Sequence, residues 1–339
     1  MRPILFSSVT RVADLPAWPF PYEKLDKSQW ASGDYVVGEA LPRNGRIDTV
    51  ELADGRECYP IAGDLVVGAF GRRFATLELT GTFEEIGADG AMACMTSGGC
   101  FGATTSQSQF VRAAMPARYV GHLLQDGQKV TMAQFAPKVT EPSFELPVIL
   151  LVGTSMSAGK TYSGRIAVRE LKDMGHTVLG AKLTGAGRYR DVLSFGDAGA
   201  DYIFDFVDAG LPTSVVPPGE YRAAIGALLS HMAQLDATVA VIEAGASPLE
   251  PYNGGTLVDM LGDRVKFTVL SASDPYAVVG IQAAWKRPFD LVTGPTANTR
   301  AGVALVQELA GLPALDLVDH AAHAALRQRL EMAVGARGD

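Results

Sequence analysis

The sequence predicts an α/β protein: a doubly wound parallel sheet preceded by a smaller, mostly-β domain. Two patterns along the chain indicate this fold class. Residues 34–136 carry short β-rich stretches separated by turn formers, which is typical of antiparallel sheets. After Pro147, apolar stretches of strand length alternate with helical segments of about ten or more residues, the pattern of a parallel sheet covered by helices.

The amino-terminal domain is predicted from four β-rich stretches, at 34–37, 49–52, 64–68 and 74–80. Short strands at this spacing predict a small antiparallel barrel or sandwich without a strong helix. The glycine-rich stretches 68–76 and 96–102 are interpreted as turns; a cover over the active site or a dimer surface is the alternative. Three prolines between 136 and 147 indicate a linker. We place the boundary near Pro142, which gives domains 1–141 and 142–339.

The carboxyl-terminal domain is predicted as alternating strands and helices. Strands are expected at 148–152, 177–183, 238–242, 267–271 and 290–293. Helices are expected at 160–174, 220–234, 255–261, 276–285 and 300–309. The stretch 184–191 is rich in small residues and is interpreted as a loop, and two acidic segments with small residues follow at 197–201 and 205–210.

Length, composition and charge favour a folded protein that acts on small molecules. The chain has 339 residues, of which 47% are hydrophobic and 19% charged. Its formal net charge of −8 argues against a broad basic surface for nucleic acid or anionic membrane. Its apolar runs fall short of the roughly 20 residues that cross a bilayer, and its first residues do not resemble a secretory signal. We expect a cytoplasmic homo-oligomer with a small acidic substrate.

The most specific motif joins the first strand of the second domain to the first helix. There the chain reads Gly153-Thr154-Ser155-Met156-Ser157-Ala158-Gly159-Lys160-Thr161. A strand that runs into such a loop and opens a helix predicts a phosphate-binding loop; a chance turn is the alternative. Five residues separate the two glycines where four are usual, so Thr154 takes the place of the first glycine. We therefore predict ATP and Mg²⁺ as cofactors, with Lys160 facing solvent and neutralising the phosphates and with Thr161 as a metal ligand.

A phosphate loop needs an acidic group at the end of a neighbouring strand. Glu243 follows the strand at 238–242 and is predicted to hold Mg²⁺ or its water shell and to serve catalysis; a strand-end acid paired with a surface base is the alternative. The loop at 245–255 lies at the carboxyl end of the sheet, where ligands bind in such folds. It is expected to line the acceptor site or to form a surface loop.

Charged residues after the second strand are candidates for the acceptor site. Arg188 and Arg190 can hold a carboxylate or phosphate, or they are solvated loop charges. Asp191 is expected to help hold Mg²⁺ or to orient a nucleophile. Asn298, in the turn after the last strand, is a candidate for contacting the nucleotide base, or it caps the following helix.

These segments resemble known families. The phosphate loop resembles that of dethiobiotin synthetase. Most of 147–300 resembles P-loop proteins of the D-glutamate N-acetyltransferase-like class. This resemblance rests on the phosphate loop, on Thr184-Gly185-Ala186-Gly187, on the acidic segments within 197–210 and on the loop after Glu243. That resemblance implies a P-loop fold and acetyl transfer. Dethiobiotin synthetase and cyclic diphosphoglycerate synthetase, which are similar in loop spelling or layout, imply phosphorylation of an acidic oxygen.

Three functions follow from these patterns. The leading one is a kinase-like or ligase-like transferase that uses ATP to phosphorylate a small amino or carboxylic acid, with Lys160, Arg188, Asp191 and Glu243 as catalytic residues. The second is an acyl-CoA-dependent N-acyltransferase whose P-loop cradles the phosphates of coenzyme A. The third is a regulatory NTPase that a protein partner stimulates through the β domain.

Overall fold

The computed structural model describes residues 4–15, 20–41, 47–139 and 142–336. The chain forms two compact units. Unit 1 consists of Met1–Lys138, Ala186–Arg190 and Phe206–Leu228, and unit 2 of Val139–Gly185, Asp191–Asp205 and Leu229–Asp339. The chain therefore contributes three separate segments to unit 1. The predicted boundary between 141 and 142 lies at the edge of the described residues and stays a prediction.

The strands of unit 1 are short and follow one another closely. They are β1 (Ile4–Phe6), β2 (Tyr22–Glu23), β3 (Tyr35–Ala40), β4 (Val50–Glu51), β5 (Glu57–Cys58), β6 (Leu65–Phe70), β7 (Arg72–Ala75), β8 (Leu79–Thr82), β9 (Ala91–Cys94), β10 (Cys100–Gln107), β11 (Met115–Gln125) and β12 (Gln128–Lys129). The expected strand-rich amino-terminal part is present. The single strand expected at 74–80 is wrong, because β7 and β8 form an antiparallel hairpin with its turn at 76–78.

Five of these strands close into a barrel. β6, β3, β11, β9 and β10 pair in that order through antiparallel ladders, and β10 returns to β6 through a parallel pairing. Closure removes the free edges of these strands. The interior is apolar, with Val36, Val66, Phe70, Phe101 and Tyr119 in one buried cluster. The strands β4 and β5 form a separate small hairpin.

Unit 2 alternates strands with helices. Its strands are β13 (Val148–Gly153), β14 (Val178–Thr184), β15 (Tyr202–Asp205), β16 (Val239–Ala244), β17 (Val265–Ser271) and β18 (Leu291–Thr293). The helices are α1 (Lys160–Asp173), α2 (Tyr189–Asp197), α3 (Pro218–Met232), α4 (Gly254–Leu261), α5 (Pro275–Trp285), α6 (Arg300–Ala310) and α7 (His323–Val334), of which α2 and α3 include residues of both units. Among the described helices, none is long and apolar enough to cross a membrane.

The six strands of unit 2 form one parallel sheet in the order β15-β14-β16-β13-β17-β18. Every residue of β13, β14 and β16 is buried, as expected for strands that are covered on both faces. The predicted α/β class with a parallel sheet is therefore confirmed. The loop expected at 184–191 is partly wrong, because it includes the start of α2, and β15 is a strand that the sequence analysis did not predict.

Candidate functional site

The sheet register brings two charged side chains together beside the strand that leads into the phosphate loop. β16 lies between β13 and β14 in the sheet, and Glu243 of β16 pairs in register with Leu151 on one side and with Lys182 on the other. Because all three strands are parallel, their carboxyl ends meet at one edge. Glu243 and Lys182 therefore occupy the position at which ligands bind in open α/β sheets.

The loop between β13 and α1 has the backbone that close phosphate approach requires. Gly159, immediately before α1, has a φ of +94°, which a residue with a side chain rarely adopts. A Cβ atom added at Gly153 would lie 2.7 Å from the Lys160 Nζ atom and 2.9 Å from its Cδ atom. The lysine stem thus lies directly over the first glycine. Both glycines of the motif are required by this geometry.

Thr154 connects the loop to the neighbouring strand. Its backbone amide donates to the Ser271 carbonyl at 3.1 Å, and its hydroxyl accepts from the Ser273 amide at 3.2 Å. The residue that replaces the usual first glycine therefore anchors the loop against the end of β17.

Lys160 does not face solvent, contrary to our expectation. The residue is only 2% exposed, and its ammonium donates to the Ser155 carbonyl at 2.6 Å and to the Met156 carbonyl at 3.5 Å. Burial lowers the pKa of Lys160 to about 8, against the opposing effect of Glu243 and with a further lowering by Lys182. The loop carbonyls hold the lysine where a phosphate oxygen would otherwise be its partner.

The Glu243 carboxylate joins the phosphate loop to β14. The Thr161 hydroxyl donates to its Oε2 atom at 2.8 Å, while the Lys182 ammonium lies 3.7 Å from its Oε1 atom. Glu243 is 2% exposed, so these partners offset the cost of burying its charge. The alternative of a surface acid paired with a surface base is wrong.

Lys182 is a site residue that the sequence analysis did not single out. Its ammonium donates to Asp191 Oδ2 at 2.5 Å. Burial acts to lower the pKa of Lys182, but Asp191 and Glu243 outweigh that effect and raise it above the usual value. Lys182 therefore remains a cation. The sequence signal for it was a lysine inside an otherwise apolar strand, because such a charge is buried only with partners.

The loop after β16 lies beside this cluster. Ala246, with a φ of 59°, has a left-handed backbone that a residue other than glycine rarely adopts. The Glu250 carboxylate accepts from the Ser247 amide at 2.8 Å and acts to raise the pKa of Lys160. Because the Glu250 charge affects the pKa of Lys160, the loop lies close to the charge cluster. The role of this loop in acceptor binding stays a prediction.

The turn after β18 packs against the phosphate loop. A Cβ atom added at Gly294 would lie 2.4 Å from the Ala158 carbonyl oxygen. The N-cap of α6 is Thr299, so the alternative that Asn298 caps this helix is wrong. With its amide nitrogen turned toward its acceptors, Asn298 donates to Asp316 Oδ1 at 3.2 Å and to the Gly294 carbonyl at 3.0 Å. Its contact with a base stays a prediction.

The two arginines of the predicted acceptor loop belong to unit 1. Within that unit, the buried Glu51 carboxylate accepts from the Tyr189 amide at 2.6 Å and from the Arg190 amide at 3.1 Å. The Arg190 guanidinium forms an exposed ion pair with Glu57 at 3.0 Å. Arg188 is half-buried, and its Nε atom has no hydrogen-bond partner within the described ranges. Its role with the acceptor stays a prediction.

Thr161 and Glu243 fit a magnesium ion that is bound together with a nucleotide. Hydroxyl and carboxylate oxygens are the ligands that Mg²⁺ prefers, and the ion commonly takes its remaining ligands from phosphates and water. Among the residues that the structure describes, no group of three or more His, Cys, Asp or Glu side chains could hold a metal by itself. The pair therefore suits an ion that arrives with the nucleotide.

Comparisons with known proteins find only distant similarities. No family model matches the chain, and no curated protein matches it. Among solved structures, the signal recognition particle receptor FtsY from Elizabethkingia anophelis is similar at 17% identity and a TM-score of 0.34, over 54% of this chain and 61% of that one. The cell division protein FtsY from Thermotoga maritima is similar at 18% identity and a TM-score of 0.33, over 54% of this chain and 65% of that one.

A third structure is the signal recognition particle 54 kDa protein from Aeropyrum pernix in complex with GDP, at 18% identity and a TM-score of 0.34, over 59% of this chain and 51% of that one. The chain thus spans between 51% and 65% of the length of these three proteins. At TM-scores below 0.5 these likenesses carry no argument about this chain. The D-glutamate N-acetyltransferase-like class finds no support in the comparisons.

Proposed function

We propose that unit 2 binds a Mg²⁺-nucleoside triphosphate at residues 153–161 and transfers its γ-phosphoryl group to an oxygen of a small amino or carboxylic acid. The observation that carries this proposal is the Glu243 carboxylate, which contacts both Thr161 of the phosphate loop and Lys182. Lys182 would then be a second lysine beside the proposed nucleotide site. ATP is the expected nucleotide.

Lys182 favours an acidic acceptor over water. A water molecule carries no charge, whereas a carboxylate that approaches a triphosphate needs a cation to offset the repulsion between the two anions. Lys182 can supply that charge because its raised pKa keeps it protonated. Asp191, its partner at 2.5 Å, would orient the ammonium and release part of its hydrogen bonding when the acceptor binds.

The proposed reaction is an in-line displacement at the γ-phosphorus. An acceptor oxygen forms a bond to phosphorus, the bond from phosphorus to the β,γ-bridging oxygen breaks, and the nucleoside diphosphate leaves with that oxygen's electron pair. For a carboxylic acid the product is an acyl phosphate. Lys160 would leave the loop carbonyls and offset charge on the phosphates. Thr161 and Glu243 would hold Mg²⁺, which would further neutralise the charge of the phosphates.

The test is a product assay on the full chain. Purified protein is incubated with ATP or GTP, with and without Mg²⁺, and with a panel of small amino and carboxylic acids. Nucleoside diphosphate release is measured, and acyl phosphates are trapped as hydroxamates with hydroxylamine. We expect one class of acid to stimulate diphosphate release and to form a hydroxamate in equal amount.

Two outcomes would assign the site to the other functions. Binding of acetyl-CoA without Mg²⁺, together with acetyl transfer to an amine, would replace the proposal with N-acyl transfer. Diphosphate release that no acid stimulates but a protein fraction does would replace it with a regulatory NTPase.

A further inference from the structure

Unit 1 contains a cavity that the nucleotide chemistry does not use. Its volume is about 410 Å³, and its walls include Lys27, Trp30, Arg72, Phe83, Glu84 and Glu220, the last from the first turn of α3. Small-molecule sites commonly measure about 300–1,000 Å³ and combine an apolar wall with a few polar groups. The cavity has both features.

The apolar wall is held rigidly. The Trp30 indole N–H donates to the Leu25 carbonyl at 3.0 Å. The indole ring packs on Phe70 and Tyr119, with centroid distances of 4.8 and 4.7 Å. The Phe83 ring stacks on the Phe70 ring, with a centroid distance of 5.5 Å. The half-buried Trp30 therefore offers a fixed aromatic surface to an apolar group, and Phe83, which is only 5% exposed, adds a small part of that surface.

Four charged side chains line the cavity; two of them form an ion pair with each other, and the other two do not. Arg72 forms an ion pair with Glu84 and lies 5.3 Å above the Phe83 ring, so these two charges offset each other. Among the described residues, the Lys27 ammonium donates only to a neutral group, the Ile86 carbonyl, at 2.8 Å. The Glu220 side chain forms neither a hydrogen bond nor an ion pair with them. Within the part of the chain that the structure describes, one cation and one anion thus line the cavity without an oppositely charged partner.

We propose that this cavity binds a zwitterionic amino acid with an apolar or aromatic side chain. Lys27 would bind its carboxylate, Glu220 its ammonium group, and Trp30 with Phe83 its side chain. A simple amine would leave Lys27 without an anion, and a simple carboxylate would leave Glu220 without a cation. Both charged residues are exposed, so a ligand can reach them. The proposal goes beyond the phosphoryl transfer proposed for unit 2 and requires no nucleotide.

The test is isothermal titration calorimetry on the nucleotide-free full chain. The probes are L-phenylalanine and L-leucine, with 2-phenylethylamine and 3-phenylpropionate as analogues that lack the carboxylate and the ammonium group. We expect at least one amino acid to bind, and both analogues of L-phenylalanine to bind at least about tenfold more weakly than L-phenylalanine does. No heat from either amino acid at millimolar concentration would overturn the proposal, as would an analogue that binds equally well.

Matched variants locate the binding. Glu220→Gln and Lys27→Met should each weaken amino-acid binding by at least about tenfold. Glu85→Gln and Lys24→Met remove the same charges at exposed positions outside the lining and should leave affinity unchanged. Thermal denaturation checks that all four variants are folded. Parental affinity in Glu220→Gln or in Lys27→Met would place the amino acid elsewhere and contradict the proposal.

Discussion

Lys160 and Lys182 belong to one buried charge cluster, yet their pKa values shift in opposite directions. Both are buried, which by itself disfavours the ammonium form. Lys182 touches Asp191 and lies near Glu243, and these carboxylates raise its pKa above the usual value. Among the described residues, Lys160 has only carbonyl oxygens as hydrogen-bond partners, and burial lowers its pKa to about 8. Lys160 is therefore the lysine of this cluster that titrates near neutral pH.

The first prediction concerns the pH dependence of nucleotide affinity. Bound phosphate favours protonated Lys160, so affinity should be constant just below pH 8 and fall above it, by up to about tenfold for each pH unit. Lys182 does not contribute, because it stays protonated in this range. Calorimetric titration between pH 7 and pH 9.5 measures the effect. Lys160→Arg, which is always charged, should remove the pH dependence even if it binds more weakly.

The second prediction concerns the stability of the nucleotide-free protein. Lys160→Met keeps most of the stem over Gly153 but removes the buried ammonium, so the thermal midpoint should rise or stay unchanged while nucleotide binding is lost. Scanning calorimetry with and without nucleotide measures both. Lys266→Met, at an exposed position of unit 2, is the control and should keep the nucleotide-induced shift. A large loss of stability in Lys160→Met would contradict the view that this charge is strained by burial.

The sequence predicts which residues form the phosphate loop but not the environment of each one. Motif spacing places Lys160 and Thr161 at the start of a helix, and strand-end logic places Glu243 nearby; both expectations agree with the structure. The burial of Lys160 depends on the loop folding its carbonyls over the ammonium. The ion pair of Lys182 requires Asp191, which lies on the helix that follows its strand. Neither contact follows from local pattern.

At the level of elements, the register of β13, β14 and β16 positions the Glu243 side chain. Glu243→Gln keeps the shape and the hydrogen bond from Thr161 but removes the charge that faces Lys182 and the metal site. Nucleotide binding should persist while turnover falls at least about tenfold, or about 1.4 kcal/mol of barrier. Single-turnover kinetics and equilibrium binding separate these effects. Parental turnover would exclude Glu243 from the reaction.

A second element-scale prediction tests the pairing of β14 with α2. Lys182→Met removes the cation that Asp191 and Glu243 share and should destabilise unit 2 by about 2 kcal/mol or more, because the buried Glu243 carboxylate and the partly buried Asp191 carboxylate then lack this cation. Adding Asp191→Asn should recover part of that loss. Scanning calorimetry of the two single variants and the double variant measures the coupling. If the stability losses of the two single variants add up in the double variant, Lys182 and Asp191 do not stabilise each other.

Burial explains which elements could be predicted. Strands β13, β14 and β16 are apolar runs because both of their faces are covered, and the sequence predicts each within a few residues. β15 has four residues, three of them only half-buried, and stands at the sheet edge, so it lacks that signal. The start of α2 follows a glycine-rich stretch and is held by Glu51, a partner 138 residues away in sequence from Tyr189. Local pattern cannot show such a contact.

For the whole molecule, the important feature is that unit 1 is discontinuous in sequence. A change of composition near Pro142 marks where the strand-rich part ends, but it cannot show that Ala186–Arg190 and Phe206–Leu228 return to unit 1. Their return depends on specific long-range contacts. Glu51 accepts from two amides of the first segment, and Arg11 pairs with Asp208 of the second at 2.8 Å.

The last prediction follows from this discontinuity. A fragment of residues 1–138 lacks both returning segments, so the Glu51 carboxylate loses the two amides that donate to it and Arg11 loses Asp208. The fragment also lacks the apolar side chains of the second segment that are buried in the full chain, among them Phe206 and Tyr221, and their loss removes a large share of the stability of a small domain. We expect the fragment to unfold without a cooperative transition, as measured by circular dichroism during heating, whereas the full chain unfolds cooperatively. If the fragment has the β-sheet circular dichroism signal of the full chain and unfolds cooperatively, the barrel is stable without the two returning segments.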